Sequence, residues 1–199
     1  MFDSYLRNVK DRVGEPIARR VNFLSPNLVS ILGVLVALLS AYLGSQQIYF
    51  WGLAFWLLSR ALDGLDGLLA RLHNTQSDFG GYLDIILDFV AYAAVPLGFG
   101  LGAASQSVYV ALAVLLSSFY VNSASWMFLA AILEKRAARD PETTTTIVMP
   151  VGLVGALESI TIFSLFFVLP QYIFWIFIIF SALVFLTVIQ RLIWAYKTL

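Results

Sequence analysis

Five of the twelve acidic residues lie in one window of a chain that is 60% hydrophobic: Asp63, Asp66, Asp78, Asp84 and Asp88. Asp63 and Asp66 are three residues apart, and Asp84 and Asp88 are four apart. On a helix, both spacings place the two carboxylates on one face. A short link joins the two segments, so an antiparallel pair of helices would bring four carboxylates to similar depth.

Such a carboxylate set is costly in apolar surroundings unless something neutralises it. One carboxylate near the centre of a bilayer costs at least ~2.5–3.5 kcal/mol, and like charges add repulsion. Two divalent cations would neutralise four carboxylates, and ligands that are all oxygen favour Mg²⁺, Mn²⁺ or Ca²⁺. A pair of such cations ~3.5–4 Å apart is suited to in-line displacement at phosphorus.

Two other interpretations remain open at the level of the residues. One is a structural ion-pair network with Arg60 and Arg71, although two arginines cannot neutralise four carboxylates. The other is a cation or proton pathway, which also uses carboxylates inside the membrane. Nearby small residues allow tight helix packing but also leave room for a phosphorylated ligand; they are Gly64, Gly67, Ala70, Gly80 and Gly81. Arg71 is well suited to bind phosphate.

The elements that must position these residues are membrane helices. Only 12% of the residues are charged, against about 25% in a soluble domain. The apolar runs predict an all-α integral membrane protein with one domain over residues 1–199. An interfacial amphipathic helix is predicted at 1–22, and a bundle of six transmembrane helices at 26–194, with Ser25 and Pro26 at its start. The predicted helices are about 26–43, 47–72, 79–102, 107–134, 147–168 and 171–194.

Charge and composition limit the location and the kind of site. Apart from Arg60, all Lys and Arg residues fall on one side of this layout, which predicts that both termini and the aspartates are cytoplasmic. The chain has no cysteine and one histidine, His73, which excludes thiolate and multi-histidine metal sites within one chain. Its net charge of zero gives no electrostatic argument for a nucleic-acid partner.

Written as a pattern, residues 63–88 read D-x-x-D-G-x-x-A-R-x(8)-G-x-x-x-D-x-x-x-D. This pattern resembles the signature of the CDP-alcohol phosphotransferase family at every spacing. The six-helix layout and the amphipathic N-terminal segment are also similar to that family. The resemblance implies phospholipid biosynthesis: the phosphatidyl group of CDP-diacylglycerol passes to an alcohol, and CMP is released.

The resemblance also implies roles for residues. Asp63, Asp66, Asp84 and Asp88 would ligate two divalent ions, Mg²⁺ or Mn²⁺, and Asp88 would be the catalytic base for the acceptor hydroxyl. The segment "SPNLVS" is similar to a Pro-Asn segment of the family. The implied contacts to the CDP-lipid are Asn27, Leu28, Val29, Ser30, Gly67, Ala70, Arg71, Ser77 and Gly80. Asp78 falls outside the pattern, and we expect it to cap the third helix.

The acceptor alcohol is not readable from the sequence; glycerol phosphate, inositol phosphate, serine and others all remain open, as does the variant in which CDP-choline or CDP-ethanolamine is the donor and diacylglycerol the acceptor. Candidates for contact with it are Glu158, Lys135, Arg136 and Arg139. The three basic residues equally suit topology or contact with anionic membrane lipids. The resemblance implies a homodimer in a bacterial or archaeal cell membrane. A membrane prenyltransferase with an Asp-rich Mg²⁺ site and a carboxylate-lined ion or proton carrier are the alternatives.

Overall fold

The computed structural model describes Pro16, Ala18, Arg20, Val21 and residues 23–139 and 152–199. Within these residues the chain is helical, without strands. Its helices are α1 (Pro26–Ser45), α2 (Tyr49–Leu72), α3 (Asp78–Ala103), α4 (Gln106–Arg139), α5 (Ala156–Val168) and α6 (Ile173–Thr198), with a 3₁₀ turn at Pro170–Tyr172 before α6. A helix thus overlaps each of the six ranges predicted for the bundle. The predicted cap at Ser25 is confirmed, because its side chain accepts a hydrogen bond from the Leu28 amide.

Two predicted boundaries are wrong. The fifth helix begins at Ala156 rather than near 147, since residues 152–155 are irregular and Gly155 caps the helix. The fourth continues to Arg139 rather than ending near 134. Its last residues are mostly Glu, Lys, Arg and Ala, which favour helix whether or not lipid surrounds them. The predicted helix at 1–22 lies largely outside the described residues, as does the stretch 140–151.

Within the part of the chain that the structure describes, four stretches are long and apolar enough to cross a membrane: Pro26–Ser45, Asp78–Ala103, Gln106–Ala138 and Pro170–Thr198. Helix α2 has 24 residues, a length of about 36 Å, but its charged residues reduce its hydropathy. Helix α5 has 13 residues, which gives about 20 Å against a hydrocarbon core of about 30 Å. The described chain is therefore an integral membrane protein.

The chain divides into two compact units, Met1–Ala103 and Ala104–Leu199. In the first unit, α1 packs against both α2 and α3, whereas α2 and α3 hardly approach each other through their backbones. Glycines allow the close approach of α1 and α3: a Cβ at Gly98 would lie 2.1 Å from the Ala41 carbonyl oxygen. Helix α1 therefore holds the two aspartate-bearing helices at a distance from each other.

In the second unit, α4 packs against α6. Its core is made of phenylalanine rings: Phe163 lies 4.9 Å from Phe166 and 5.8 Å from Phe180, between ring centroids. Phe119 of α4 adds a ring 6.2 Å from Phe163. Large rings fill this core.

Candidate active site

Two adjoining cavities in the first unit contain the four aspartates of the sequence pattern. The large cavity, of about 230 Å³, is lined by Pro26, Asn27, Ser30, Asp66, Gly67, Ala70, Arg71, Thr75, Gln76, Ser77, Gly80, Gly81 and Asp84. The small cavity, of about 10 Å³, is lined by Ser30, Gly33, Val34, Arg60, Asp63, Asp84, Leu87 and Asp88. Ser30 and Asp84 belong to both linings. The structure thus brings together residues from the first three helices and the link before α3.

Asp66 is held in the wall of the large cavity. It is 5% exposed, and its Oδ2 accepts a hydrogen bond of 2.5 Å from the Ser30 hydroxyl. Its Oδ1 lies 2.5 Å from the Gly67 amide nitrogen, which donates to it. These charge-assisted bonds fix the carboxylate. Ser30 belongs to the segment that the family resemblance assigned to nucleotide binding. In this structure its hydroxyl instead holds the Asp66 carboxylate.

Small residues open the large cavity at the start of α3. A Cβ at Gly80 would lie 3.1 Å from Ser77 Oγ and 3.3 Å from Asn27 Oδ1, whereas one at Gly81 would meet nothing within 4 Å. Ser77 Oγ accepts a hydrogen bond from the Gly80 amide at 3.1 Å, so Ser77 caps α3. The expectation that Asp78 caps this helix is wrong, because Asp78 is already its first residue.

Arg71 lies over the backbone of α2 at the large cavity. A Cβ at Gly67 would be 3.3 Å from Arg71 Nη1. Because Gly67 has no side chain, the Arg71 guanidinium can lie close to the backbone of α2 at the cavity wall. A guanidinium presents a planar set of donors that matches the oxygens of a phosphate group.

Arg60 occupies the wall of the small cavity. Its Nη1 lies 2.7 Å from Asp88 Oδ1 and 3.6 Å from Asp63 Oδ1. The guanidinium also lies over two rings, 4.9 Å from the Trp56 centroid and 5.4 Å from that of Tyr92. Part of the alternative ion-pair network is thus present, but Arg60 neutralises at most one of the neighbouring carboxylates.

The donor set fits divalent cations by its chemistry. All four acidic side chains supply only oxygen, as Mg²⁺ and Mn²⁺ prefer, and they line two cavities that meet at Asp84. No three acidic residues in the described ranges are close enough to hold an ion as they stand. Like charges repel at short distance, so binding of metal would have to draw the carboxylates together.

Comparison with known proteins decides the family. The sequence model of the CDP-alcohol phosphatidyltransferase family matches residues 23–189. The chain belongs to the CDP-alcohol phosphatidyltransferase family. The prediction of a transferase of this family that acts in phospholipid biosynthesis in a membrane is confirmed.

Relatives of this phosphatidyltransferase include both membrane proteins and named synthases. The inner membrane protein YnjF of Escherichia coli is 34% identical over 177 residues, which cover 88% of this chain and 85% of that protein. The CDP-diacylglycerol–serine O-phosphatidyltransferase of Helicobacter pylori is 40% identical over 76 residues, 37% of this chain and 31% of that protein. The phosphatidylinositol phosphate synthase PgsA1 of Mycobacterium tuberculosis, solved with CDP-DAG bound, has the same fold, with a TM-score of 0.70, 23% identity and coverage of 91% and 92%.

Most of the predicted donor-site residues line the cavities of this phosphatidyltransferase, but two of them do not. Val29 is 1% exposed and packs with Leu68 and Leu69 in an apolar cluster, while the Leu28 side chain is exposed and lines neither cavity. The helical period explains both, because successive residues of "NLVS" point in different directions. Sequence reasoning missed Thr75 and Gln76, although they lie in the same link as Ser77.

The predicted acceptor residues all belong to the second unit. Lys135 and Arg136 are exposed on the last turns of α4, and Arg136 donates to the carbonyl oxygens of Thr198 and Leu199. Arg139 is the last residue of that helix. Glu158 is exposed in the first turn of α5, where Oε2 accepts a hydrogen bond of 3.0 Å from the Gly155 amide. The side chains of Lys135, Arg136 and Glu158 thus lie exposed on the second unit.

Proposed function

We propose that this phosphatidyltransferase transfers the phosphatidyl group of CDP-diacylglycerol to a polar alcohol and releases CMP. The observation that carries the proposal is the sharing of Ser30 and Asp84 between the two cavities. The large cavity offers Arg71 and a glycine-lined wall for the CDP moiety, and the small cavity offers Asp63 and Asp88. Donor phosphates at their junction would therefore lie beside all four carboxylates.

Asp63, Asp66, Asp84 and Asp88 are the residues that would hold two divalent ions, Mg²⁺ or Mn²⁺. When bound, these ions screen the charge of the pyrophosphate and of the departing CMP. A structure of the M. tuberculosis synthase contains manganese and citrate, which agrees with a divalent ion in this fold. Ser30 and the Gly67 amide orient Asp66 for this task through the bonds described above.

Asp88 is our candidate for the catalytic base. It takes the proton of the acceptor hydroxyl as that oxygen attacks the phosphatidyl phosphorus, and the bond from this phosphorus to the CMP oxygen breaks. Its side chain is 33% exposed and lines the small cavity, so an acceptor that enters this cavity can reach it. Position contributes more than basicity here, because a carboxylate beside cations is a modest base.

The large cavity is our candidate for the CDP subsite. Arg71 binds phosphate oxygens, while Asn27, Ser77 and the Gly80 backbone shape the wall for the cytidine part. Asn27 Oδ1 accepts hydrogen bonds, as recognition of the cytosine amino group requires. The glycines let the ligand approach the backbone closely.

The membrane arrangement is also part of the proposal. We propose six transmembrane segments, in which α2 and the stretch containing α5 join the four strongly apolar spans. The distribution of Lys and Arg favours cytoplasmic termini and a cytoplasmic active site, where nucleotide is available. A homodimer, and acceptor contacts at Glu158, Lys135, Arg136 and Arg139, remain predictions.

The test is an assay of purified protein with labelled CDP-diacylglycerol, Mg²⁺ or Mn²⁺, and a panel that includes glycerol phosphate, inositol phosphate and serine. We expect CMP and one new phospholipid in equal amounts with one acceptor, and no product after chelation of the metal. Consumption of an isoprenyl diphosphate without any release of CMP would contradict the proposal and favour the prenyltransferase alternative. Metal-dependent cation flux in vesicles without CMP would favour the carrier.

A further inference from the structure

Arg60 lies outside the family pattern, yet like Asp66 it is a buried charged side chain in the wall of the two cavities. It is 8% exposed, and it precedes Asp63 by one helical turn. A buried cation is retained only with close partners, because removing it from water is costly. The partners of Arg60 therefore indicate what it does.

These partners come from both aspartate-bearing helices. On α2, Asp63 lies 3.6 Å from Nη1, and Ser59 Oγ accepts a bond of 3.2 Å from Nη2. On α3, Asp88 accepts the short bond of 2.7 Å from the same Nη1. Since the backbones of α2 and α3 hardly approach each other, this guanidinium bridges a gap that packing leaves open.

Aromatic rings hold the bridge in place. Trp56 is 0% exposed and meets Tyr92 edge to face, with centroids 6.0 Å apart. The Arg60 guanidinium lies over both rings, and cation–π contacts strengthen when water is excluded. Trp56 belongs to α2 and Tyr92 to α3, so the rings join the same two helices as the ion pair.

We propose that Arg60 is a positioning residue, which fixes Asp88 of α3 against Asp63 of α2 and so sets the spacing of the two halves of the carboxylate set. This inference rests on the proposed function of those aspartates. Its Nη1 contacts Oδ1 of each aspartate. Arg60 lines the small cavity and not the large one, so it lies outside the proposed subsite for the CDP moiety.

The matched variants are Arg60→Met, which keeps the apolar stem, and Arg60→Lys, which keeps the charge. We expect Arg60→Met to lower kcat by about 10- to 100-fold, since small misplacements of catalytic groups have effects of this size. Its Kd for CDP-diacylglycerol in the presence of Mn²⁺ should stay close to that of the wild type. Arg60→Lys should have a kcat between those of Arg60→Met and the wild type. Its ammonium group can bind Asp88 but cannot at the same time reproduce the hydrogen bond that Arg60 donates to Ser59.

A double-mutant cycle with Asp88→Asn separates positioning from general structural support. If Arg60 acts through Asp88, Arg60→Met should lower the residual rate of Asp88→Asn little further, as expected for coupled residues. Ser59→Ala, which removes one bond to Arg60 and no charge, should have only a small effect on kcat.

Three results would overturn the role of Arg60: wild-type kcat in Arg60→Met, an equal loss from Arg60→Met with and without Asp88, or a parallel loss of donor binding and kcat. If Arg60→Met does not fold, Arg60→Lys decides, and unchanged kcat in that variant at wild-type Tm would contradict the proposal. A failure of the proposed function is distinguishable, since then the wild type would release no CMP with any acceptor.

Discussion

The two units of the chain pack by different means. Helices α1 and α3 meet backbone to backbone at Gly98, where a Cβ would lie 2.1 Å from the Ala41 carbonyl oxygen. Helices α4 and α6 enclose large rings such as Phe163 and Phe180, both 0–1% exposed. Close backbone contact fixes helix positions with little tolerance, whereas a core of rings adjusts by rotation of side chains. The unit with the lower tolerance contains all four aspartates of the pattern.

Gly98→Ala should destabilise the first unit and should have the largest effect on folding. The added methyl group would overlap a backbone carbonyl, so α1 and α3 must separate, at a cost of about 3 kcal/mol or more. We expect a large loss of folded protein and of Tm in detergent. Gly81→Ala is the matched control, because a Cβ there meets nothing within 4 Å. A Gly98→Ala protein with the Tm of the wild type would refute the close-contact account.

Phe163→Ala should destabilise the second unit without changing the chemistry. Its ring contacts those of Phe119, Phe166 and Phe180, and its loss leaves a cavity that costs about 3 kcal/mol. We expect a lower Tm, with kcat per folded molecule unchanged, as measured by thermal unfolding and by an assay below the transition. Loss of kcat in fully folded Phe163→Ala protein would contradict the claim that this core can be weakened without a change in the chemistry.

Gly80→Ala should produce a smaller and local effect. Its Cβ would press on Ser77 Oγ and Asn27 Oδ1, at 3.1 and 3.3 Å, and disturb the cap of α3 and the wall of the large cavity. We expect KM for the CDP-lipid to rise several-fold above that of the wild type while Tm changes little. A wild-type KM in Gly80→Ala would remove Gly80 from the donor subsite.

Local spacing predicted much of this site. Intervals of three and four residues predicted carboxylates on helix faces, and the structure places Asp63, Asp84 and Asp88 around one small cavity. Intervals of this kind depend only on the helical period, which a sequence shows directly. The resemblance of "SPNLVS" to a family segment assigned Leu28 to the site, because a linear motif does not reveal which of its residues turns away.

Arg60 was named at the level of the sequence in an ion-pair network with the aspartates, but spacing along the chain does not show that it bridges to Asp88. Asp88 lies 28 positions after Arg60, and their contact depends on how α1 spaces α2 and α3. The start of α5 was missed for another reason: an apolar run such as "VGLVGALESITIF" does not show at which residue the helix begins. At the end of α4, charge was taken as the end of the helix, although those residues favour helix.

One measurement tests the central claim most directly: the rate of CMP release from CDP-diacylglycerol by Asp88→Asn beside Asp78→Asn, at saturating Mn²⁺ and acceptor. Both changes remove one charge from α3, but Asp78 is exposed in the first turn and lines neither cavity. We predict a loss of about 10²–10⁴-fold in Asp88→Asn, the usual contribution of a general base, with the wild-type rate in Asp78→Asn. Wild-type turnover in Asp88→Asn, or equal losses in both variants, would contradict the account.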